Sequence, residues 1–280
     1  MNVEAKRVGY QITEVELKSI QKIQKELIVE VNRICKKCGI QYNMVGGTML
    51  GAIRHKGYIP WDDDADIGFL RCEYEKFRQA CKTELDHTKY YMQDMRDTDG
   101  YRWGYGKLRR KGTQFVRLNQ EFMPYEQGIS IDLMPFDGVP DSNVKKKIYC
   151  LRCFLLRKIL WSEVGAKTEK NVLKRLIYKV IRKIPREYLI KQYQNLIRQG
   201  ERKETGQVRI ITFPTPKGIY GYNRNWYTEL DLYHFDELTL PGAKDFDGYL
   251  KVKYGEYMKL PPIEKRKVHP ISKLVLRETQ

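Results

Sequence analysis

An acidic run at residues 62–66 constrains this chain more than any other feature of its sequence. It holds four aspartates in five residues and leads directly into an apolar stretch, residues 67–70, that is typical of a buried strand. Adjacent carboxylates repel one another, so a fold that gathers them must compensate their charge. Because alternate side chains of a strand share a face, Asp62, Asp64 and Asp66 are predicted to converge on one side. The side chains predicted on the buried side are Ala65, Ile67 and Phe69.

The grouped carboxylates predict a metal site. Hard oxygen ligands in such a cluster suit Mg²⁺ or Mn²⁺, and Asp64 and Asp66 are the leading candidates. Asp132 is the third candidate, because a lone carboxylate between apolar strand residues needs a partner for its charge. A shared metal would be that partner, and a hydrogen-bonded core aspartate is the alternative. We expect two metal ions, with Asp132 also acting as proton acceptor and with Asp62 and Asp63 supporting the ligands.

A glycine pair upstream of the acidic run predicts a phosphate site. Gly46, Gly47 and Thr48 open a short predicted helix. Glycines let backbone N–H groups approach a phosphate closely, and a helix N-terminus favours anions. Basic side chains would complete the site, and the candidates are Arg54, His55, Lys56, Lys107 and Arg109. For His55, a hydrogen-bonded surface histidine is the alternative.

Apolar spacing predicts the elements around these motifs. A helix is predicted over residues 13–38, because Thr13 and Glu16 have the spacing of a capping box and Gly39 is a natural stop. Further helices are predicted at 48–54, 72–84 and 245–254, and strands at 40–45, 65–70, 89–94, 102–109 and 128–133. Residues 134–140 contain two prolines and a glycine and are predicted to form a loop. The predicted fold class is α/β (α+β), a mixed sheet flanked by helices.

Residues 142–203 are predicted to form a basic helical region. Between residues 145 and 203, 18 Lys/Arg and 4 Glu give +14 of the chain's formal charge of +17. Gly165 and Pro185 are predicted to separate its helices. The apolar stripes are Ile148, Leu151, Leu155 and Ile159, then Val172, Leu176, Val180 and Ile184. These stripes either pack on the core, leaving a solvated basic face, or form an element that docks on an anionic membrane surface.

Three parts are expected: a catalytic core at 1–141, the basic helical region at 142–203, and a C-terminal segment at 204–280 that packs on the core. The first seven residues lack the apolar stretch of a signal peptide. No apolar run approaches the ~18 residues of a transmembrane helix. A cytosolic protein is therefore expected, with peripheral contact at the inner face of the membrane as an extension of that expectation.

The six cysteines are expected to be reduced in the cytosol. Cys35 and Cys38, like Cys150 and Cys153, have the spacing of zinc ligands. Both pairs fall in predicted helices, where small thiols are common on buried faces. Structural zinc is thus an alternative to simple packing.

Four blocks of the sequence resemble the LicD family of the nucleotidyltransferase-fold superfamily. The longest, Val45–Ile67, runs from the glycine pair through the aspartates almost without interruption. The later blocks are Tyr105–Arg109, Ile131–Asp137 and Tyr249–Pro262, the last followed by Lys265 and Arg266. The resemblance spans residues 10–270 and implies a nucleotidyltransferase-like sheet that carries Asp64, Asp66 and Asp132 as its metal triad.

The resemblance also implies a reaction. LicD-like proteins move a substituted phosphate from a CDP-linked donor to a sugar hydroxyl of a cell-surface glycan or its lipid-linked precursor, and CMP leaves. Teichoic acid, lipopolysaccharide and capsule are such glycans. CDP-choline is the favoured donor, while CDP-ribitol and CDP-glycerol stay open. Nucleotidyl transfer to another acceptor also stays open, because the motif does not distinguish attack on the near phosphate from attack on the distal one.

A choline headgroup would need an aromatic site. Its trimethylammonium group donates no hydrogen bond and is held by aromatic faces through cation–π contact. The candidates for this choline box are Tyr58, Trp61, Trp103 and Tyr105. For each of them, packing in the core is the alternative.

Two other functions fit the composition. An RNA-modifying nucleotidyltransferase would suit the basic, tyrosine-rich chain, but the specificity of block Val45–Ile67 argues against a nucleic-acid partner. A non-catalytic module that binds membranes or polyanions would need neither a metal nor Asp64.

Overall fold

The computed structural model describes residues 9–201, 205–266 and 268–276. The helices are α1 (Glu14–Cys38), α2 (Gly46–His55), α3 (Arg71–Glu84), α4 (Asn143–Leu160), α5 (Ser162–Thr168), α6 (Val172–Ile181), α7 (Arg186–Glu201) and α8 (Phe246–Tyr254). The strands are β1 (Asn43–Met44), β2 (Asp66–Leu70), β3 (Tyr90–Gln93), β4 (Gly106–Arg110), β5 (Gln114–Arg117), β6 (Ser130–Gly138), β7 (Gln207–Arg209), β8 (Tyr222–Asn223), β9 (Leu230–Phe235), β10 (Leu238–Ala243) and β11 (Ile271–Val275). The signal-peptide prediction at residues 1–7 and the end of the predicted basic region, residues 202–203, lie outside the described residues.

The predicted mixed sheet flanked by helices is confirmed. Its strands follow the order β1-β2-β6-β4-β3, in which only β2 and β6 run parallel to each other. The far end of β6 pairs with β7, which pairs with β8. In the parallel pair, Asp66 lies directly beside Asp132. The two side chains therefore leave the sheet on the same face.

Helix α1 begins and ends as its sequence predicts. Glu16 N–H donates to the Thr13 hydroxyl, Thr13 N–H donates to the Glu16 carboxylate, and Gly39 closes the helix in the left-handed conformation at φ 63°. From the buried face of α1, the Gln24 side chain donates to the carbonyls of Asp63 and Ser130 at 2.8 and 3.1 Å. The helix thereby fixes the acidic run against the start of β6.

The predicted loop at residues 134–140 is wrong, because β6 continues to Gly138. Asp132 N–H donates toward β2, to Ala65 O at 2.8 Å, so alternate N–H groups, including position 135, point toward β4. Pairing with β4 ends at Leu133, and pairing with β7 begins only at Asp137. Pro135 therefore occupies a strand position where its missing N–H breaks no ladder bond.

The predicted helix break at Gly165 is also wrong, whereas Pro185 does separate α6 from α7. The breaks occur at Trp161 and at residues 169–171 instead. Gly165 lies inside α5, and a Cβ there would approach the Tyr178 ring to 2.6 Å. The glycine is a packing residue that lets α6 lie against α5.

A buried ion pair ties the sheet to the helical region. Arg71 at the start of α3 donates to both carboxylate oxygens of Asp137 on β6, each at 2.8 Å, and to the Tyr193 hydroxyl of α7 at 2.9 Å. The Arg71 and Asp137 side chains are 4% and 0% exposed. Around this contact α4 and α7 pack through a second apolar cluster, which includes Tyr149, Leu156, Tyr193 and Leu196.

Replacing Arg71 by methionine is expected to lower the free energy of unfolding by about 3–5 kcal/mol, because it leaves the Asp137 carboxylate buried without its partner. Equilibrium unfolding in urea measures the loss. The matched control is Lys76→Met on the same helix, which removes a surface pair with Glu73 and should cost less than about 1 kcal/mol. Equal losses in the two variants would contradict the assigned role of Arg71.

Candidate active site

The glycine turn before α2 is where the aspartates approach the backbone most closely. Gly46 has φ 61°, and a Cβ there would lie 2.4 Å from Asp66 Oδ2 and 3.1 Å from Lys253 Nζ. A Cβ on Gly47 would lie 2.7 Å from Asp62 Oδ2. Both glycines are therefore required for the carboxylates to reach the helix N-terminus. The Gly46 N–H itself donates to the Tyr249 hydroxyl at 2.8 Å.

Thr48 fixes the start of strand β2. Its hydroxyl is buried and accepts the Asp66 N–H at 2.7 Å, while Val45 N–H donates to Asp66 O at 3.2 Å. Asp66 is thus held through its backbone on both sides. The sequence predicts that Thr48 contacts a phosphate, whereas the contact seen in the structure is between its hydroxyl and the backbone of Asp66.

Asp132 has a charged protein partner. Lys107, opposite it on β4, forms an ion pair with its carboxylate. Burial lowers the pKa of Lys107, and the attraction of Asp132 offsets part of that effect. Each of the two interpretations of Asp132 has an observation in its favour. The ion pair with Lys107 supports a paired core aspartate, and the position beside Asp66 supports a metal ligand.

The carboxylates nearest the glycine turn are electrostatically uncompensated. Burial, followed by repulsion from Asp64, raises the pKa of Asp62 to about 9. Burial also raises the pKa of Asp66 well above its usual range, with Asp64 and Asp132 adding to the effect and Lys253 opposing it. Both carboxyl groups therefore favour their protonated form at neutral pH when no further cation is near them.

Asp63 differs from its neighbours because it binds the C-terminal segment. The backbone N–H of His269 donates to Asp63 Oδ2 at 2.9 Å, and His269 Nδ1 lies 2.7 Å from Asp63 Oδ1. Burial alone would raise the pKa of Asp63, but the contacts with His269 outweigh it and hold this pKa below its usual value. No local motif marked His269, since its role depends on a contact across more than 200 residues.

One group of three metal-capable side chains occurs in residues 9–201, 205–266 and 268–276. It consists of Asp63, Asp64 and His269, whose ligand atoms lie within 4.8 Å of one another. Asp64 is thus common to this group and to the predicted triad. No cysteine of the described chain joins such a group, and all six are free thiols.

A cavity of about 480 Å³ connects the predicted ligands. Asp64, Asp66 and Asp132 all line it, as do Lys107 and Arg109. Arg109 is buried and held by Gln93 Oε1 at 2.6 Å. With Asp63, Trp103 and Tyr105, which also line the cavity, the structure therefore brings together eight of the sequence-predicted site residues, while Asp62 faces the glycine turn instead.

Three predicted phosphate ligands lie elsewhere. Arg54, His55 and Lys56 are at the far end of α2, about 15 Å along the helix from Gly46. Arg54 donates to Tyr257 O at 2.6 Å, and the His55 ring meets the edge of Trp61. Burial lowers the pKa of His55, which favours its neutral form.

Two of the four predicted choline-box residues are also elsewhere. The Tyr58 ring packs 4.9 Å from Phe235, and Arg266 lies over Trp61 at 4.6 Å from its centroid. Trp61 is therefore already engaged by a cation of the chain itself. The two pairs are separated because residues 58–61 precede β2 on the α2 side, whereas residues 103–105 precede β4.

Trp103 and Tyr105 do line the cavity, and two unpredicted rings join them. Trp161, at the α4–α5 junction, lies 5.7 Å from Trp103, and Phe213 lies 5.3 Å from Tyr105. Trp103 is oriented by its Nε1–H, which donates to the Tyr125 hydroxyl at 2.9 Å. Trp161 and Phe213 are exposed and belong to segments without any local signal for the site.

Helix α8 supplies a further unpredicted cation, Lys253, beside Gly46 and Asp66. Burial would lower the pKa of Lys253, but the surrounding tyrosines and Asp66 raise it instead. Lys253 therefore stays charged next to the glycine turn. The block Tyr249–Pro262 was the available signal, although the resemblance assigned no role to this lysine.

Comparison with known proteins identifies the family. The lipopolysaccharide cholinephosphotransferase LicD of Haemophilus influenzae is 30% identical to this chain over 249 residues, which cover 85% of this chain and 89% of that protein. The chain belongs to the LicD family. The model of the LicD/FKTN/FKRP nucleotidyltransferase domain matches residues 39–150. An uncharacterized protein of Rickettsia typhi is 37% identical over 89 residues, or 30% of this chain and 28% of its own length.

LicD membership confirms the predicted enzyme class, a phosphotransferase. The matched domain contains the glycine turn, the acidic run, Lys107 and Asp132. It ends before Trp161, Phe213, Lys253 and His269, so two of the four cavity rings and the lysine beside Gly46 lie outside the LicD domain match.

Substitution of Gly46 by alanine is expected to destabilise the protein more than Gly39→Ala. Both glycines have similar positive φ values, 61° and 63°, so both substitutions carry left-handed strain of about 1–2 kcal/mol. Only at position 46 would the new methyl group collide with Asp66 and Lys253, since Gly39 has no neighbour within 4 Å of its Cβ position. Urea unfolding compares the variants, and equal losses would show that Asp66 does not press on the turn.

Proposed function

We propose that this LicD-family phosphotransferase moves phosphocholine from CDP-choline to a sugar hydroxyl of a cell-surface glycan or its lipid-linked precursor, releasing CMP. The observation that carries the proposal is the cavity in which Asp64, Asp66 and Asp132 face an aromatic wall. Similarity to a lipopolysaccharide cholinephosphotransferase supports both the headgroup and the glycan acceptor.

Mg²⁺ or Mn²⁺ fits the carboxylates around the glycine turn. The donor set is all oxygen, and burial together with repulsion between neighbouring carboxylates raises the pKa values of Asp62 and Asp66, so a bound cation would favour their ionised forms. Asp64 and Asp66 would hold the ion, with Asp132 beside them. When bound, it would stabilise the charge of the donor phosphates and of the leaving CMP.

The turn side of the site suits the donor phosphates. The N-terminus of α2 favours anions, and Lys253 adds a full positive charge next to Gly46. This pairing of a helix N-terminus with a partly buried lysine would hold the pyrophosphate in position. The distal phosphate would then face Asp66 and the cavity.

Asp132 would accept the proton of the attacking sugar hydroxyl. The hydroxyl oxygen forms a bond to the distal phosphorus, the bond from that phosphorus to the bridging oxygen breaks, and the electron pair leaves with CMP. Lys107 would orient the Asp132 carboxylate for this proton transfer through their ion pair.

The aromatic wall would hold the trimethylammonium group. Trp103, Tyr105, Trp161 and Phe213 line the cavity together, and the two tryptophan rings are 5.7 Å apart. Aromatic faces attract a quaternary ammonium ion without hydrogen bonds. This revised box replaces Tyr58 and Trp61 with Trp161 and Phe213.

Asp66→Asn is expected to reduce Mg²⁺-dependent release of CMP from CDP-choline by about 10²-fold or more, because it removes a carboxylate ligand of the ion that would stabilise the donor phosphates. Its stability should be equal or higher, since the substitution relieves repulsion from Asp64 and Asp132. Asp141→Asn, at an exposed aspartate before α4, is the control with unchanged rate. An Asp66→Asn enzyme with normal CMP release would sink the proposed role.

Trp161→Leu is expected to raise KM for CDP-choline about 2- to 30-fold, the loss of a cation–π contact of ~0.5–2 kcal/mol. Competitive inhibition by CDP-glycerol, which lacks the cation, should be unchanged. Trp61→Leu, outside the cavity, is the matched control. If Trp161→Leu weakened both nucleotides equally, the aromatic wall would not be a choline box.

A further inference from the structure

Helix α6 turns its apolar side to solvent. The side chains of this face are 51% to 69% exposed, and they are Val172, Leu173, Leu176, Ile177 and Val180. Only Tyr178 of α6 is buried, against Gly165 of α5. An amphipathic helix of a globular domain normally buries its apolar stripe, so α6 has the reverse orientation.

Helix α4 carries two apolar stripes on opposite sides. The inner stripe is buried and consists of Tyr149, Cys153, Leu156 and Leu160. The outer stripe is 50% to 69% exposed and consists of Val144, Ile148, Leu151 and Leu155. Steps of four, three and four residues keep each stripe on one line of the helix. The inner stripe, together with Cys150 and Ile159, packs α4 onto the protein, while the outer stripe stays exposed.

The charge around α6 indicates what kind of partner that is. Residues 167–183 contain seven Lys/Arg and one acidic residue. Lys174, Lys179, Arg182 and Lys183 are all exposed along the helix and just after it. An apolar face with a basic border complements a surface that is negative outside and apolar beneath.

We propose that α6 docks on an anionic lipid bilayer. The apolar side chains would enter the boundary between headgroups and acyl chains, and the bordering Lys and Arg would contact lipid phosphates. A second copy of this chain fits less well, because it would bring two surfaces of the same charge together. The helices would lie along the bilayer, since no helix in the described ranges is long and apolar enough to cross one.

This surface and the aspartate cavity belong to one helical layer. Trp161 of the cavity wall directly precedes α5, and α6 packs on α5 through Tyr178. Docking would therefore hold the cavity at a fixed orientation near the membrane. The inference does not depend on which phosphate the enzyme transfers.

Vesicle flotation of the full chain tests the proposal. We expect binding to vesicles of phosphatidylcholine mixed with phosphatidylglycerol, weak binding to phosphatidylcholine alone, and a decrease at high salt. Absence of binding of the wild-type chain to the anionic vesicles at low salt would overturn the inference. This result can be interpreted without any variant.

The variant Leu173→Asp/Leu176→Asp is expected to lower the vesicle partition coefficient about tenfold or more. Leu232→Asp, at a leucine that is 70% exposed on β9, is the matched control and should bind like the wild type. Both changes are at the surface, and thermal unfolding followed by circular dichroism checks that the variants are folded. Wild-type partitioning by the double variant would contradict the assignment to α6.

Lys174→Glu/Lys179→Glu tests the electrostatic half of the proposal. It should reduce binding to anionic vesicles and remove most of the salt dependence. Sedimentation velocity tests the alternative that a second copy of this chain binds to the α6 face. A wild-type dimer that the double-leucine variant dissociates, without vesicle binding by either, would assign the face to a second copy and refute the membrane proposal.

Discussion

The parallel pairing of β2 with β6 is the contact on which the rest of this site depends. It sets Asp66 beside Asp132, and Asp132 N–H locks the register by donating to Ala65 O at 2.8 Å. A slip by one residue would turn Asp132 to the opposite face of the sheet. The register is protected because β6 is the central strand, bonded to β2 and β4 and, at its far end, to β7.

That register gathers carboxylates, and the fold compensates each in a different way. Asp63 is paired with His269, and Asp132 is paired with Lys107. Asp62 and Asp66 lie near Asp64, and burial and repulsion raise the pKa values of both even though Lys253 and Lys107 oppose the effect at Asp66. The unfavourable electrostatic environment is thus concentrated at the glycine turn, where a divalent cation would stabilise the carboxylates most. Natural proteins break the rules of stable packing at functional sites in this way.

The sequence was sufficient where a feature is local. The capping box of α1 and the buried face of β2 follow from spacing alone. The prediction that Asp132 joins Asp64 and Asp66 rests on a lone carboxylate in an apolar strand and on the family resemblance, and the three do line one cavity. The sequence was insufficient where a residue's environment is set by distant chain. Pro135 is tolerated in β6 only because β4 has already ended, which no local pattern reveals.

The same reason explains why the residues predicted near the aspartates differ from those that the structure places there. Lys253 and His269 reach the aspartates from the C-terminal segment, more than 180 residues away along the chain. Nothing at those positions resembles a phosphate or metal motif. Conversely, Arg54, His55 and Lys56 are close to the aspartates in sequence, but α2 carries them to its opposite end. Proximity along the chain was a poor guide to proximity in the fold here, because helix α2 separates these residues from the glycine turn.

The basic helical region is part of the site and not an appendage to it. Tyr193 of α7 completes the buried Arg71–Asp137 pair on β6, and Trp161 supplies one wall of the aspartate cavity. A core without these helices would keep its carboxylates but lose the rings that face them. The outer stripe of α4 lies opposite the stripe that makes this packing, so one helix both anchors the region to the sheet and carries some of its exposed apolar side chains.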